Sequence, residues 1–228
     1  MVYYLLYVLF ILYNLFVPAC YSNMNKKICI YGGSYDPVTY GHEMVLSKIS
    51  NLEWVDEIWV VICRCRYDKN LEAFDHRNNM FSIMLENNTY PIDKSKIFVK
   101  DLESENTTAT YDLLNMLKTT YPQHEFYFII GSDLLNDLTS WDNGEQLVSE
   151  NNFIIIERGD YDINKEILKK MHKYYLIEIP VKSFVNYISS TDVRKLLVEH
   201  NYEDLKKYIN PLAIDYINDN NLYKRNGI

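Results

Sequence analysis

Short apolar runs alternate with amphipathic segments along most of this chain. Continuous apolar runs predict buried strands, and apolar positions three or four residues apart predict helices. The predicted strands span residues 27–31, 57–63, 97–100, 125–131, 153–157 and 175–179. The predicted helices span residues 40–52, 75–87, 110–117, 164–174 and 211–218, and a further helix begins near residue 190. Thr39, Asp75 and Ser190 are residue types that cap helix starts.

This alternation favours an α/β fold, because buried parallel strands are joined by helices that cover both faces of the sheet. We predict a Rossmann-like, doubly wound parallel sheet of five to six strands with helices on both faces. In such sheets ligands bind beyond the carboxyl ends of the strands, where the strand order reverses. A length of 228 residues, 48% of them hydrophobic, suits one such domain, which we expect to occupy residues 24–228.

A hydrophobic N-terminal extension, residues 1–23, is set apart from this domain. Residues 2–17 are apolar apart from Asn14 and the tyrosine hydroxyls, and the first charged residue is Lys26. The run is shorter than the roughly 20 apolar residues of a membrane span, and it lacks the basic start of a signal peptide. Two interpretations stay open: a signal or anchor, or an extension ahead of a start at Met24.

Charge and composition narrow the expected partners and location. A net charge of −8 argues against general binding to nucleic acid, which needs a broad basic surface. Four cysteines lack the spacing of a zinc site or a disulfide framework. Glycosylation sequons occur at 87–89 and 106–108, and a glycan on the second would obstruct the site described below. We therefore favour a cytoplasmic protein without membrane attachment of the folded domain. Secretion or organelle targeting through residues 1–23 is the alternative, and a homo-oligomer is left open.

The strongest chemical signal lies between the first strand and the first helix, where residues 32–42 read GGSYDPVTYGH. Paired glycines let the backbone approach a phosphate, and a helix start supplies N–H groups to it. Thr39 and His42 share the first helical turn and face the same ligand. The alternative is an ordinary capped turn, which so many specified positions disfavour. The candidate nucleotide-binding residues here are Gly32, Gly33, Ser34, Tyr35, Gly41 and His42.

A second anion site is predicted where residues 188–194 read ISSTDVR, again at a strand-to-helix junction. Its hydroxyls and N–H groups are donors, and Arg194 adds a forked cation on the face that it shares with Thr191. An ordinary capping sequence with a surface arginine is the alternative. The candidate residues are Ser189, Ser190, Thr191 and Arg194.

A third segment, residues 129–134, reads IIGSDL and is followed by Trp141. Asp133, after the strand that ends in Gly131, places a carboxylate at the binding edge of the sheet, where it can bond ribose hydroxyls. Trp141 can stack on a cationic pyridinium ring. A helix cap for Asp133 and core packing for Trp141 are the alternatives.

Together these segments resemble known families. The T-x-G-H string from Thr39 to His42 resembles the (H/T)-x-G-H signature of the nucleotidyltransferase superfamily. The second segment resembles the I-S-S-T-x-x-R signature of mononucleotide adenylyltransferases, and the third resembles the bacterial-type nicotinate mononucleotide adenylyltransferases. The resemblance spans roughly residues 27–200. It implies transfer of the adenylyl group of ATP to nicotinate or nicotinamide mononucleotide in NAD biosynthesis, with release of pyrophosphate.

The resemblance also implies roles for single residues. Thr39, His42 and Arg194 would be catalytic: Thr39 and His42 hold the triphosphate, with His42 steadying the α-phosphate, and Arg194 holds the departing pyrophosphate. Gly131 and Asp133 would join the ATP site. The residues expected to bind the mononucleotide are Ser34, Lys69, Arg77, Thr108, Thr110, Trp141 and Arg158. For Lys69 and Arg158 the match is poorer, and a solvated surface position is the alternative.

The attacking group would be the phosphate of the mononucleotide, whose second pKa is about 6, so no general base is required. No dedicated carboxylate cage is visible, so Mg²⁺ should arrive with ATP. Three other functions stay open: another enzyme of the superfamily, such as phosphopantetheine adenylyltransferase or a cytidylyltransferase; a non-catalytic nucleotide-binding module; and a membrane-tethered protein that positions a partner.

Overall fold

The computed structural model describes residues 25–66, 69–102, 108–157, 163–179 and 189–224. Their strands form one six-stranded sheet in which every pairing is parallel, in the order β3-β2-β1-β4-β5-β6. The strands are β1 (Lys27–Gly33), β2 (Glu57–Ile62), β3 (Ile97–Val99), β4 (Glu125–Gly131), β5 (Asn152–Glu157) and β6 (Lys173–Glu178). The predicted α/β class with a doubly wound parallel sheet is confirmed.

Helices connect these strands. The α-helices are α1 (Tyr40–Ser50), α2 (Phe74–Glu86), α3 (Thr110–Thr120), α4 (Gly144–Glu150), α5 (Lys165–Lys170), α6 (Ser190–Val198), α7 (Tyr202–Leu205) and α8 (Pro211–Asp219). Two 3-10 helices span Lys94–Lys96 and Ser132–Ser140. None of the helices described is long and apolar enough to cross a membrane.

The core lies on both faces of the sheet, as continuous apolar strands require. Successive β1 side chains enter opposite faces: Ile28 and Ile30 join one buried cluster, and Cys29 and Tyr31 join the other. Burial raises the pKa of Cys29 above its ordinary range, so this thiol is a protonated core side chain.

Several predicted boundaries differ from the structure. Asp75 does not cap α2, because Ala73 occupies the cap position and the helix starts one residue before Asp75. The predicted helix 164–174 ends at residue 170, because β6 begins at Lys173 and pairs with β5 from that residue. The capping residue of α6 is Ser189 rather than Ser190. The expectations for residues 1–23, Ile188 and Arg158 lie outside the described residues.

Candidate functional site

The strand order reverses between β1 and β4, the two central neighbours, and their carboxyl ends meet at one edge of the sheet. A crevice suited to ligands forms at such a point. β1 ends in Gly33 and β4 ends in Gly131, so both strands finish without side chains there. A Cβ atom on Gly33 would lie 3.1 Å from the Tyr35 ring, and one on Gly32 would lie 3.4 Å from the Phe128 ring.

The first loop, residues 34–39, is part of the core. Tyr35, Asp36 and Thr39 are 1%, 2% and 3% exposed. The Tyr35 hydroxyl donates to the carbonyl of Tyr31 at 2.8 Å, and its ring lies 5.1 Å from that of His42. We expected Tyr35 to bind ATP, but its side chain lies beneath the loop. Any contact of Tyr35 with a ligand would therefore come from its main chain.

Thr39 orients His42 at the start of α1. The Thr39 backbone N–H donates to His42 Nδ1 at 3.0 Å, and Thr39 Oγ1 lies 2.9 Å from the same nitrogen. A backbone N–H can only donate, so Nδ1 accepts and the neutral ring carries its proton on Nε2. Protonated Nε2 is a suitable donor to a phosphate oxygen.

Arg77 has a different position from the one expected. We predicted that it binds the mononucleotide, but its side chain is fully buried. Its Nε donates to the carbonyl of Glu72 at 2.8 Å, one Nη to that of Ser34 at 2.8 Å, and the other Nη to that of Arg64 at 3.1 Å. Each of the three guanidinium nitrogens therefore binds backbone, and Arg77 fastens the first loop to two neighbouring segments.

The second motif meets the first directly. Ser190 Oγ donates to the carbonyl of Pro37 at 2.9 Å, and an Arg194 Nη donates to the carbonyl of Asp36 at 2.6 Å. The other Arg194 Nη donates to Thr191 Oγ1 at 3.0 Å. The guanidinium therefore lies on the loop that leads into His42, and the two motifs share one end of the sheet.

The hydroxyls of this second motif already have protein partners. Ser189 accepts from the Asp192 backbone N–H at 3.2 Å and donates to the Asp192 carboxylate at 2.7 Å, which is a helix cap. The Ser189 hydroxyl and the Ser189 backbone N–H, which donates to the same carboxylate at 3.1 Å, lower the pKa of Asp192. Ser189 and Ser190 consequently have structural contacts, whereas Thr191 is exposed.

The third segment follows β4 around the rim of the crevice. Asp133 lies in the first turn of the 3-10 helix Ser132–Ser140. Trp141 is partly buried, and it packs against the same core cluster as Leu138. Its backbone N–H donates to the carbonyl of Leu138 at 3.3 Å, and its carbonyl accepts from Gly144 N–H at 2.8 Å. A Cβ on Gly144 would lie 2.5 Å from the Leu138 carbonyl oxygen, so this turn requires glycine.

The remaining candidates are more peripheral. Thr108 precedes α3, Ala109 caps that helix, and Thr110 is its first residue. Lys69 is exposed and forms an isolated antiparallel bridge with Arg66. Among the described residues, no group of three or more His, Cys, Asp or Glu side chains is placed to hold a metal ion.

Two residues of this site have no role in the sequence analysis. Asp36 lies within the quoted loop, but its type alone does not reveal that its carbonyl holds Arg194. Tyr223 donates its hydroxyl to Asp36 Oδ1 at 2.7 Å from the opposite end of the chain. Nothing in the spacing around residue 223 indicates this contact.

With the geometry established, comparisons with known proteins define the class. Residues 30–196 match the family model described as cytidylyltransferase-like, and the chain belongs to this family. Within it, the chain belongs with the nicotinate-nucleotide adenylyltransferases. A probable nicotinate-nucleotide adenylyltransferase of Bacillus cytotoxicus is 30% identical over 205 residues, which are 87% of this chain and 99% of that one. The Bacillus subtilis nicotinate-nucleotide adenylyltransferase is 27% identical, with the same coverage.

A solved structure agrees with this assignment. It is described as Plasmodium falciparum nicotinic acid mononucleotide adenylyltransferase complexed with NaAD. The two chains are 61% identical in sequence, and their structures superpose with a TM-score of 0.84. The match covers 89% of this chain and 99% of that one. The predicted family is therefore confirmed.

Proposed function

We propose that the protein transfers the adenylyl group of ATP to nicotinate mononucleotide, forming the dinucleotide and pyrophosphate in NAD biosynthesis. The observation that carries this proposal is the bond from Arg194 to the Asp36 carbonyl, which joins the two phosphate-binding motifs at the β1–β4 crevice. The relatives are named for this activity, and one related structure is described as complexed with NaAD.

The reaction requires two polyanions to be aligned and their charge neutralised. The mononucleotide phosphate is mostly a dianion at neutral pH, so it attacks the α-phosphorus of ATP without a general base. His42 Nε2–H would donate to the α-phosphate as charge develops there, and Arg194 would stabilise the departing pyrophosphate. Because Thr39 fixes the tautomer of His42 in advance, no reorientation of the ring is needed during the reaction.

We propose the following contacts for the substrates. Residues for ATP are Gly32, Gly33, Ser34, Gly41, His42, Gly131, Asp133, Thr191 and Arg194, with Ser190 contributing its main-chain N–H group. The Ser189 N–H donates to the Asp192 carboxylate at 3.1 Å, so we assign Ser189 to capping the helix. Residues for the mononucleotide are Ser34, Thr108, Thr110 and Trp141, and Lys69 and Arg158 are weaker candidates. Arg77 is assigned to holding the first loop, because its guanidinium is enclosed. Mg²⁺ would enter with ATP as part of the substrate and would neutralise phosphate charge.

The function is tested by measuring pyrophosphate release from the full chain with ATP and one acceptor at a time. We expect the highest kcat/KM with nicotinate mononucleotide, a lower value with nicotinamide mononucleotide, and none with phosphopantetheine or, with CTP, choline phosphate. Turnover confined to phosphopantetheine would contradict the proposal. The same assay on residues 24–228 tests the further proposal that this part of the chain is the functional domain and that residues 1–23 are dispensable.

Trp141→Ala tests the mononucleotide end of the site. Stacking of a cationic ring on tryptophan contributes about 1–2 kcal/mol, so we expect KM for the mononucleotide to rise about 5- to 30-fold, with KM for ATP unchanged. Trp141→Phe keeps an aromatic face and is expected to show a smaller rise. Equal changes in both KM values would exclude a specific role in stacking.

A further inference from the structure

Tyr223 lies beyond the residues that match the family model, which end at 196. It follows α8, and its backbone has a φ of 58°, in the left-handed region that a bulky residue rarely adopts. Its ring is 7% exposed and belongs to the core cluster beneath the first loop. Such a conformation persists only where surrounding contacts hold it, and such positions are concentrated at functional sites.

Those contacts reach the phosphate-binding loop. The Tyr223 hydroxyl donates to Asp36 Oδ1 at 2.7 Å, and its backbone N–H donates to Glu72 Oε1 at 3.0 Å. The hydroxyl therefore binds the loop, whereas the ring serves the core. The two contributions can be separated by replacing the tyrosine with phenylalanine.

Asp36 lies between Tyr223 and Arg194. Its carbonyl accepts from Arg194, and its Oδ2 lies 3.9 Å from the same guanidinium. At 3.9 Å these groups attract each other but do not share a close hydrogen bond. A buried carboxylate that loses a donor needs compensation from the nearest cation. Without the tyrosine hydroxyl, Asp36 would draw the Arg194 guanidinium inward, away from the crevice.

We propose that Tyr223 is a positioning residue for adenylyl transfer: its hydroxyl holds the Asp36 carboxylate, so that Arg194 faces the phosphates instead of closing onto Asp36. This inference rests on the proposed function, because Arg194 is there assigned to the pyrophosphate. Tyr223 itself touches neither substrate in this arrangement. It acts through Asp36 at a distance of two contacts.

A purely structural tyrosine would affect stability without changing the titration of the site. The groups that face the Asp36 carboxylate are the Tyr223 hydroxyl, the Arg194 and Arg77 guanidinium groups and the backbone N–H of Glu72. Burial raises the pKa of Asp36, while the bond from Tyr223 lowers it. Tyr223→Phe removes that bond and should raise the pKa of Asp36 further. The acid limb of the pH profile of kcat/KM for ATP should therefore move to higher pH.

The experiment compares the full-length wild type with Tyr223→Phe, Asp36→Asn and the double variant. For Tyr223→Phe we expect kcat/KM for ATP to fall about 10-fold, within the range of a charge-assisted contact, with KM for the mononucleotide unchanged. In the Asp36→Asn background the same change should cost less than about 2-fold, because the carboxylate that draws Arg194 inward is gone. Calorimetric binding of a non-hydrolysable ATP analogue should weaken in parallel.

Tyr216→Phe is the matched control. Tyr216 also lies in the C-terminal region, on α8, and its hydroxyl bonds His76 and Asn79 rather than the first loop. We expect its kcat/KM and acid limb to match those of the wild type.

Two outcomes separate this inference from the proposed function. A wild type that releases no pyrophosphate with any mononucleotide overturns the function. A wild type that turns over, with Tyr223→Phe unchanged in kcat/KM and acid limb, overturns the positioning role alone. Simple addition of the losses from Tyr223→Phe and Asp36→Asn in the double variant would also overturn the positioning role.

Discussion

The two motifs that we propose bind phosphate are built in different ways. The first loop, residues 34–39, is enclosed in the core, and Arg77 fastens it to its surroundings through a buried guanidinium. The second motif, residues 189–194, lies at a helix start, where Ser189 and Thr191 are exposed. Its side-chain bonds to the rest of the domain run to Pro37 and Asp36, both within the first loop. The second motif is therefore tied to the first by these bonds, in addition to the packing of Val193 in the core.

Substitutions in the two motifs should therefore affect different properties: mainly the folding stability for the first motif, and mainly catalysis for the second. A change inside the first loop is expected to act on folding, because its polar groups are buried and need their partners. A change at Thr191 or Arg194 removes a side chain that is outside the core, so its effect on folding should be smaller. Experiments on matched residues can test this division.

The same substitution at two arginines is expected to have the largest and most divergent effects. Arg77→Met leaves three partly buried carbonyls without their guanidinium donor and should destabilise the protein by about 3–5 kcal/mol. This corresponds to a melting temperature lower by roughly 10 °C. Arg194→Met should cost about 1 kcal/mol of stability or less while lowering kcat/KM for ATP about 100-fold. Thermal unfolding and steady-state kinetics on both variants measure the contrast, and similar melting temperatures would contradict it.

His42→Ala tests the side chain that Thr39, the last residue of the first loop, orients for the chemistry. We expect kcat to fall about 10²–10³-fold with a modest change in KM, because the donor acts on charge that develops in the transition state. Because His42 Nδ1 accepts from the Thr39 backbone N–H, the variant also loses one bond of the helix cap, and the melting temperature should fall by only about 2–4 °C. Wild-type kcat in this variant would remove His42 from its assigned role.

The smallest expected effect is that of a substitution at Glu43, which lies on α1, the helix that carries His42. Its Oε1 accepts from the backbone N–H groups of Thr89 and, at 2.6 Å, Tyr90. Its Oε2 is buried and has no hydrogen-bond partner among the described residues. Burial raises the pKa of Glu43 above its ordinary value of 4.5. The folded state therefore holds the proton to higher pH than the unfolded state does.

It follows that the Glu43 carboxyl contributes less to the free energy of unfolding as pH rises from about 4.5 through its pKa in the folded state. Glu43→Gln keeps an acceptor for both N–H groups and cannot ionise. The free energy of unfolding of the wild type should fall relative to that of the variant across this range, by about 1 kcal/mol or less. Denaturant unfolding from pH 4 to 8 measures the difference. Exposed Glu53→Gln is the control, and a constant difference at Glu43 would refute the assignment.

Local patterns were sufficient for most elements and for both motifs. The apolar run of β4 predicted its bounds at Glu125–Gly131, and the Thr39–His42 spacing predicted two side chains at one helix start. The pattern failed where tertiary pairing decides the outcome. Helix α5 ends at Lys170 rather than at residue 174, because Lys173 and Tyr174 pair with β5. These two residues suit a helix or a strand equally well.

Charged residues show the same limit. Arg77 and Arg194 both follow strands and both resemble phosphate ligands in the sequence. Only the fold encloses one and leaves the other at the crevice, since burial depends on residues distant in the chain. The bond from Tyr223 to Asp36 likewise joins positions 187 apart, which no local spacing reveals.

Gly144 limits which substitutions the turn around Trp141 can accept. Any side chain there would collide with the carbonyls of Leu138 and Thr139, and the displaced turn carries Trp141. A mutation at a position that contacts no substrate would thus shift the indole expected to discriminate between acceptors. Variation in acceptor choice among related chains should therefore arise around this turn while its glycine is retained.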